Sequence, residues 1–139
     1  MTKAAHLHNV RVYYEDTDAG GVVYHANYLK FAERARTEWL RSIGLDHQTL
    51  RQRFAVVIVV AELEATFKKP AALDDELVVE SGGVQMRGPR ITIGQRILRL
   101  NDTVVELRIV LVAVDLRGRP VRPPRAFTQA VSAFSADQR

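Results

Sequence analysis

The sequence predicts an α+β protein in which a five-stranded antiparallel sheet wraps around one long helix. Apolar residues recur at helical spacing between residues 28 and 43, whereas from residue 59 onward the apolar period is two. The predicted order is therefore one strand, one long helix and four long strands. Because one helix cannot cover such a sheet, we expect a second subunit to close its edge or open face, which predicts an obligate dimer.

Length and composition indicate a single globular domain over residues 1–139. The chain is 47% hydrophobic and 26% charged, and its formal net charge is +4. It contains no cysteine, which excludes disulfides, thiolate catalysis and cysteine-based zinc sites. We find no signal-peptide core, no membrane-spanning run and no nucleic-acid motif, and therefore expect a cytoplasmic protein that does not bind nucleic acid.

The first half of the chain contains the predicted first strand and the long helix. The strand is expected over residues 7–14 and the following loop over residues 15–25. Asn27 is the expected N-cap of the helix and Gly44 its stop signal, with a second short helix over about residues 46–51. The predicted core contacts of the strand are Leu7, Val10, Val12 and Tyr14, and those of the helix are Tyr28, Phe31, Ala32, Ala35, Trp39, Leu40 and Ile43.

The second half contains the four remaining strands. They are expected over residues 59–67, 76–86, 90–100 and 104–116. Gly82-Gly83 favours a bulge, and Gly88-Pro89 and Asn101-Asp102 favour turns. A terminal helix is expected after Pro123-Pro124, with Phe127, Ala130, Val131 and Phe134 on its apolar face.

The segment from Val12 to Glu38 contains the parts of an acyl-transfer site. Three carboxylates precede Gly20-Gly21, and His25 follows at the start of the long helix. Glycine permits close approach of backbone to a ligand, and a helix start offers unpaired N–H groups to a developing negative charge. A carboxylate can act there as nucleophile or general base, and a histidine can transfer a proton near neutral pH. The three carboxylates are Glu15, Asp16 and Asp18.

The run YYEDTDAGGVVYHANYLKFAERARTEWL closely resembles the hotdog-fold acyl-CoA thioesterases. The resemblance is to the 4-hydroxybenzoyl-CoA thioesterase-like group, especially the bacterial acyl-CoA thioesterases associated with the Tol–Pal system. The segment LDDELVVE, residues 86–88 and the apolar last strand extend it over nearly the whole chain. It implies a hotdog fold, hydrolysis of acyl-CoA without a metal or redox cofactor, and active sites at the interface of a homodimer. A homotetramer and association with Tol–Pal or acyl carrier protein are further expectations from the resemblance alone.

The same resemblance assigns roles to residues of this chain. Asp18 matches the catalytic carboxylate and His25 the family's histidine. Backbone N–H groups near Tyr24 and His25 would polarise the thioester carbonyl, and basic surface residues would bind CoA. Gly20, Gly21 and Tyr24 are therefore expected to contact substrate, and the candidate CoA-binding residues are Lys68, Lys69, Arg87, Arg90 and Arg125.

Several alternatives stay open at the level of sequence. Asp18 and Asp16 could order the loop through hydrogen bonds to backbone amides. Another hotdog branch places its carboxylate about two turns into the helix, at the position of Glu33 here. A hydratase or dehydratase acting on acyl thioesters, or a non-catalytic acyl-CoA-binding scaffold, would share the fold. His6, His8 and His47 lack ligand spacing for a metal.

Overall fold

Five strands and three α-helices form the part of the chain that the computed structural model describes, residues 5–137, with side chains described through residue 134. All strand pairings are antiparallel, in the order β1-β3-β4-β5-β2, which confirms the predicted fold class. The strands are β1 (Ala5–Arg11), β2 (Val57–Phe67), β3 (Glu76–Arg87), β4 (Arg90–Arg99) and β5 (Asp102–Val114). The helices are α1 (His25–Ser42), α2 (His47–Phe54) and α3 (Arg125–Asp137).

Helix α1 packs its apolar stripe against β1, β3 and β4 and forms the centre of the core. It begins at His25 after Tyr24, so the predicted N-cap at Asn27 is wrong. The predicted end is confirmed: Gly44 has φ +79°, a left-handed conformation that glycine adopts without strain. The buried residues of the stripe are Tyr28, Phe31, Ala32, Ala35, Trp39 and Leu40.

The first strand is shorter than predicted. It ends at Arg11, and Tyr14–Asp16 forms a single 3-10 turn. Leu7 and Tyr14 were expected in the core but are 61% and 83% exposed, whereas Val12 is fully buried. The reason is that β1 is an edge strand that pairs only with β3, and the chain leaves the sheet immediately after Val12.

The central strands follow the predicted hairpins. The pairing of β3 with β4 shifts register between Gly82 and Gln85, which confirms the bulge at the glycine pair. The turn between β4 and β5 places Leu100 and Asn101 at φ 49° and 71°, which matches a tight hairpin connection. These strands supply most of the buried aliphatic side chains under α1.

Strand β2 is the second edge of the sheet and has an apolar but uncovered surface. It pairs only with β5, and its register shifts between Val60 and Glu62. Val60 is 50% exposed and Phe67 is 48% exposed, so neither belongs to the core of the single chain. An apolar edge of this length favours pairing with another strand.

The terminal helix closes one end of the core. It begins after Pro123-Pro124, as predicted, and buries Phe127 and Val131. The Phe127 ring packs edge-on against Trp39 of α1, with 6.3 Å between ring centroids. No helix within residues 5–137 is both long enough and apolar enough to cross a membrane.

Candidate functional site

Asp16 fixes the entrance to the loop that precedes α1. Its Oδ2 accepts a hydrogen bond from the Tyr13 amide at 2.8 Å. Its carbonyl accepts two more, from the Tyr24 amide and from Nδ2 of Asn27, each at 2.9 Å. Asp16 therefore orders the loop, as the alternative interpretation of this residue proposed. Asn27 lies inside the helix, where its side chain bonds the Asp16 carbonyl instead of capping the helix start.

Asp18 lies at the tip of a tight turn, with its carboxylate oriented by backbone. The Gly20 amide donates to Oδ1 of Asp18 at 2.8 Å, and the Gly21 amide donates to the Asp18 carbonyl at 3.0 Å. Among residues 5–137, Oδ2 of Asp18 has no hydrogen-bond partner, and the side chain is exposed. One oxygen is thus held in place while the other is available to a ligand.

Both glycines shape this turn, in different ways. Gly21 has φ +80°, a conformation that is strained for residues with a side chain. A Cβ atom on Gly20 would lie 3.2 Å from Oδ1 of Asp18, a tight contact that would shift the carboxylate by a few tenths of an ångström. The glycine pair therefore shapes the turn and leaves room for the Asp18 carboxylate.

The loop is attached to the core through the backbone of Ala71, in the segment between β2 and β3. The Val23 amide donates to the Ala71 carbonyl at 2.8 Å, and the Ala71 amide donates to the Tyr28 hydroxyl at 3.0 Å. All three residues are buried. Burial raises the pKa of Tyr28, so its hydroxyl remains protonated and neutral. This arrangement fixes the loop relative to the first turn of α1.

One backbone amide at the start of α1, that of His25, makes no hydrogen bond within residues 5–137. The Tyr24 amide, an expected donor to the thioester carbonyl, is already bonded to Asp16. The Asn27 amide donates to the Tyr24 carbonyl at 2.8 Å. The His25 amide has no hydrogen-bond partner within the described chain, as is general for the first residues of a helix. Of the two amides expected to polarise the carbonyl, that of His25 is the one without a partner among residues 5–137, and it lies at the positive end of the helix dipole.

An exposed aromatic cluster lies beside this helix start. The ring of His25 is 4.6 Å from that of Tyr24 and 6.0 Å from that of Phe67, measured between centroids. Phe67 also contacts Tyr28, at 5.9 Å. Phe67 was predicted only as a strand residue; its position at the very end of β2 is the sequence signal that could have identified it. The cluster provides an apolar surface next to the amide of His25.

The predicted basic residues lie at two separate ends of β2. Lys68 and Lys69 directly follow Phe67 and pair with Glu106 and Asp102, each at 3.2 Å. Arg90 pairs with Val112 of β5, and Val112 pairs with Val59 near the start of β2. The Arg90 guanidinium forms an ion pair with Glu62 at 2.8 Å. Arg87 lies across the same hairpin from Arg90 and makes no ion pair within residues 5–137. Such exposed pairs are weak and can be exchanged for a ligand phosphate.

Glu33 lies away from the Asp18 turn. It lines a pocket with a volume of about 300 Å³ between α1, α2, α3 and the starting half of β2. Two further polar residues, Arg36 and His47, line the same pocket. Its walls are otherwise apolar and consist of Trp39, Leu40, Ile58, Val59, Val60, Ile91, Leu111 and Phe127. Within residues 5–137, no group of three histidine or acidic side chains is placed to hold a metal ion.

Comparison with known proteins identifies the family of this chain. The model of the thioesterase-like superfamily matches residues 12–131. The chain is 44% identical over 117 residues to the acyl-CoA thioesterase YbgC of Haemophilus influenzae, covering 84% of this chain and 86% of that protein. It is also 44% identical to the acyl-CoA thioester hydrolase YbgC of Escherichia coli O157:H7, covering 84% and 88%. A crystal structure of a probable thioesterase from Bartonella henselae superposes with a TM-score of 0.83 at 34% identity, covering 87% of this chain and all of that one.

The attachment of the loop at Ala71 predicts the effect of Tyr28→Phe. The substitution leaves the buried Ala71 amide without an acceptor, which should lower the free energy of unfolding by about 1–3 kcal/mol. Urea denaturation at a fixed protein concentration measures the change. Tyr14→Phe is the matched control, since the Tyr14 side chain is exposed and should lose nothing. Equal stability of the two variants would contradict this role of Tyr28.

Proposed function

This chain belongs to the thioesterase-like superfamily, and we propose that it is an acyl-CoA thioesterase with Asp18 as its catalytic carboxylate. It converts acyl-CoA and water into a free carboxylic acid and CoA. The observation that carries the proposal is the turn at Asp18, where one carboxylate oxygen is fixed by the Gly20 amide and the other is open. The open amide of His25 lies four residues after Gly21, at the start of α1.

The reaction requires few groups because a thioester is already activated. The thioester carbonyl oxygen accepts a hydrogen bond from the His25 amide, which with the helix dipole stabilises the developing negative charge. Asp18 then acts in one of two ways. It attacks the carbonyl carbon, and water hydrolyses the resulting anhydride, or it removes a proton from the water that attacks. In both routes the C–S bond breaks and the CoA thiolate leaves with a proton, for which the His25 side chain is the candidate donor.

Asp18→Asn should reduce kcat by at least about a hundredfold, because an amide is neither nucleophile nor base. Release of CoA, followed with a thiol-reactive dye, measures the rate. The same assay separates hydrolysis from hydration and from binding without turnover. Asp74→Asn is the matched control, since the Asp74 residue is exposed and asparagine tolerates its φ of 72°. Turnover by Asp18→Asn within about threefold of wild type would exclude this role, and an inactive Glu33→Gln would move the carboxylate to the other hotdog branch.

The uncovered edge of β2 supports a dimer built around it. Isologous antiparallel pairing of two β2 strands would satisfy their free backbone groups and cover Val59, Val60 and Leu63. Pairing centred near Glu62 would place the partner's Phe67 opposite Val57. Each site would then be completed by the starting half of β2 from the other subunit.

This pairing would also gather the basic residues. Within one chain, Lys68 and Arg90 lie at opposite ends of β2, separated by roughly 25 Å at about 3.3 Å per residue. In an antiparallel dimer the end that carries Lys68 and Lys69 meets the end that carries Arg87 and Arg90 of the second subunit. The combined positive surface next to the aromatic cluster is suited to the phosphates of CoA.

A lysine placed on the exposed edge of β2 tests the proposed dimer. Wild-type protein should sediment as a dimer or larger at low micromolar concentration, with no folded monomer. Val60→Lys should shift it toward monomer and reduce turnover in parallel, because it buries a charge in the proposed interface. Leu7→Lys changes an equally exposed residue on the other edge strand, β1, and should leave the dimer intact. A fully active wild-type monomer would refute both the dimer and the shared site.

CoA binding is tested at Arg87, which has no ion pair to exchange within the described residues. Arg87→Gln should raise KM for acyl-CoA by about twofold to fivefold and weaken its dependence on salt, while kcat stays similar. Steady-state kinetics at two ionic strengths measure both effects. Arg117→Gln, in the exposed turn after β5, is the control. If KM is unchanged in Arg87→Gln and in its combinations with Lys68, Lys69 and Arg90 neutralised, the phosphates bind elsewhere.

Other expectations remain predictions, the first two from composition and the last two from the resemblance alone. They are a single domain over residues 1–139, a cytoplasmic location, a homotetramer built from two dimers, and association with the Tol–Pal system or acyl carrier protein. Arg125, the remaining basic candidate, opens α3 and lies outside the hairpin of Arg87 and Arg90.

A further inference from the structure

Arg36 is the one charged side chain that is buried within the described part of the chain, at 7% exposure. It extends from α1 toward the sheet, where Nη1 donates to Oε1 of Gln95 at 2.9 Å. Nε2 of Gln95 in turn donates to the Ala32 carbonyl and to Oγ of Ser81, each at 2.9 Å. The network holds the Arg36 guanidinium in one position between α1 and β4.

The charge of Arg36 is not balanced by this network. Gln95 is neutral, and no carboxylate within residues 5–137 forms an ion pair with Arg36. Glu33, almost one turn earlier on α1, is near enough to favour the charged form but too far to pair. Buried charges in proteins are normally paired, because an isolated charge loses its hydration without compensation. The guanidinium therefore has capacity for a further acceptor.

The remaining nitrogens of Arg36 are neither hydrogen-bonded nor fully buried among residues 5–137. Among the described residues, the only fully buried side-chain nitrogen or oxygen without a partner is Nδ1 of His6. Nε and Nη2 of Arg36 make no hydrogen bond there, so they retain contact with solvent-accessible space. The pocket that Arg36 lines, of about 300 Å³, provides that space, and its walls are otherwise mostly apolar. An apolar cavity with a fixed donor suits a hydrocarbon that carries one oxygen acceptor.

We propose that this pocket receives the acyl group of the substrate, and that Arg36 selects acyl groups that carry a hydroxyl or carboxylate oxygen at their far end. The inference rests on the proposed thioesterase function and names the substrate class of that site. Ile58, Val59 and Val60 of β2 line the pocket, and Val59 and Val60 are 40% and 50% exposed. Antiparallel pairing of β2 would bring the partner's Phe67, and with it the partner's His25, to the same place. The acyl group would thus extend from one subunit's Asp18 turn into the other subunit's pocket.

Two charged residues that line the pocket, Arg36 and Glu33, affect a hydroxyl and a carboxylate differently. A hydroxyl needs only a donor, which Arg36 supplies. A carboxylate gains the full charge interaction with Arg36 but also meets the negative charge of Glu33. Whether kcat/KM is higher for the hydroxyl or for the carboxylate substrate therefore shows which charge, that of Arg36 or that of Glu33, dominates at the site.

The experiment compares kcat/KM for hexanoyl-CoA, 6-hydroxyhexanoyl-CoA and hexanedioyl-CoA, which share one chain length. Wild-type protein should favour one or both oxygenated substrates over hexanoyl-CoA by about tenfold or more, the range expected for a hydrogen bond to a charged group. Arg36→Met should reduce that ratio to about one, and Arg36→Lys should restore part of it. Each ratio is taken within one preparation, so a partly unfolded sample does not change it. Arg34→Met, two residues away on the exposed face of α1, should keep the wild-type ratio.

The outcomes separate this inference from the proposed function. If wild-type protein hydrolyses none of the three substrates or other acyl-CoA esters, the thioesterase assignment itself is wrong. If kcat/KM for hexanoyl-CoA equals kcat/KM for both oxygenated substrates, the thioesterase assignment stands and the role of Arg36 is overturned. An unchanged ratio in folded Arg36→Met overturns it too. Should Arg36→Met fail to fold, the wild-type ratio and Arg36→Lys still decide.

Discussion

The site depends on the backbone of Ala71, which lies between the loop and the long helix. Its carbonyl accepts the Val23 amide, and its amide donates to the Tyr28 hydroxyl. Together with the hydrogen bonds of Asp16 at the entrance of the loop, this connection sets the path of the loop. Because all three partners are buried, water cannot replace these bonds at low cost. The position of Asp18 relative to α1 is therefore set by a segment that itself bears no reactive group.

The second constraint is local and concerns space. The turn at Asp18 needs a residue with positive φ at Gly21, and a side chain at Gly20 would crowd the Asp18 carboxylate. The backbone at Gly20 and Gly21 is exposed, and the open amide of His25 follows four residues after Gly21 in the chain. The conformation of the turn and the orientation of the Asp18 carboxylate thus depend on the same two residues.

The sheet distributes its apolar surface unevenly, and this has consequences for assembly. Strands β4 and β5 lie between neighbours and bury most of their aliphatic side chains, whereas β2 has a neighbour on one side only. Val60 and Phe67 remain half-exposed as a result. A single chain therefore contains a well-packed core together with an incomplete edge, and the candidate pocket and the aromatic cluster both lie along that edge.

Local chemistry is what the sequence by itself determined. Helical spacing, strand alternation, the glycine pairs and the order of Asp18, Gly20, Gly21 and His25 are properties of neighbouring residues, and the predicted elements agree with the structure to within a few positions.

Only the tertiary structure decided which residues are covered and which groups meet across the chain. Leu7 is exposed on an edge strand, and Tyr14 is exposed in a turn beyond the end of that strand. The Tyr24 amide is occupied by Asp16, and Ala71 supports a loop about fifty residues earlier. Arg36, ordinary in a helix pattern, became a buried charge because β4 places Gln95 opposite it. Burial and long-range hydrogen bonds depend on strand order and register, which no local pattern specifies.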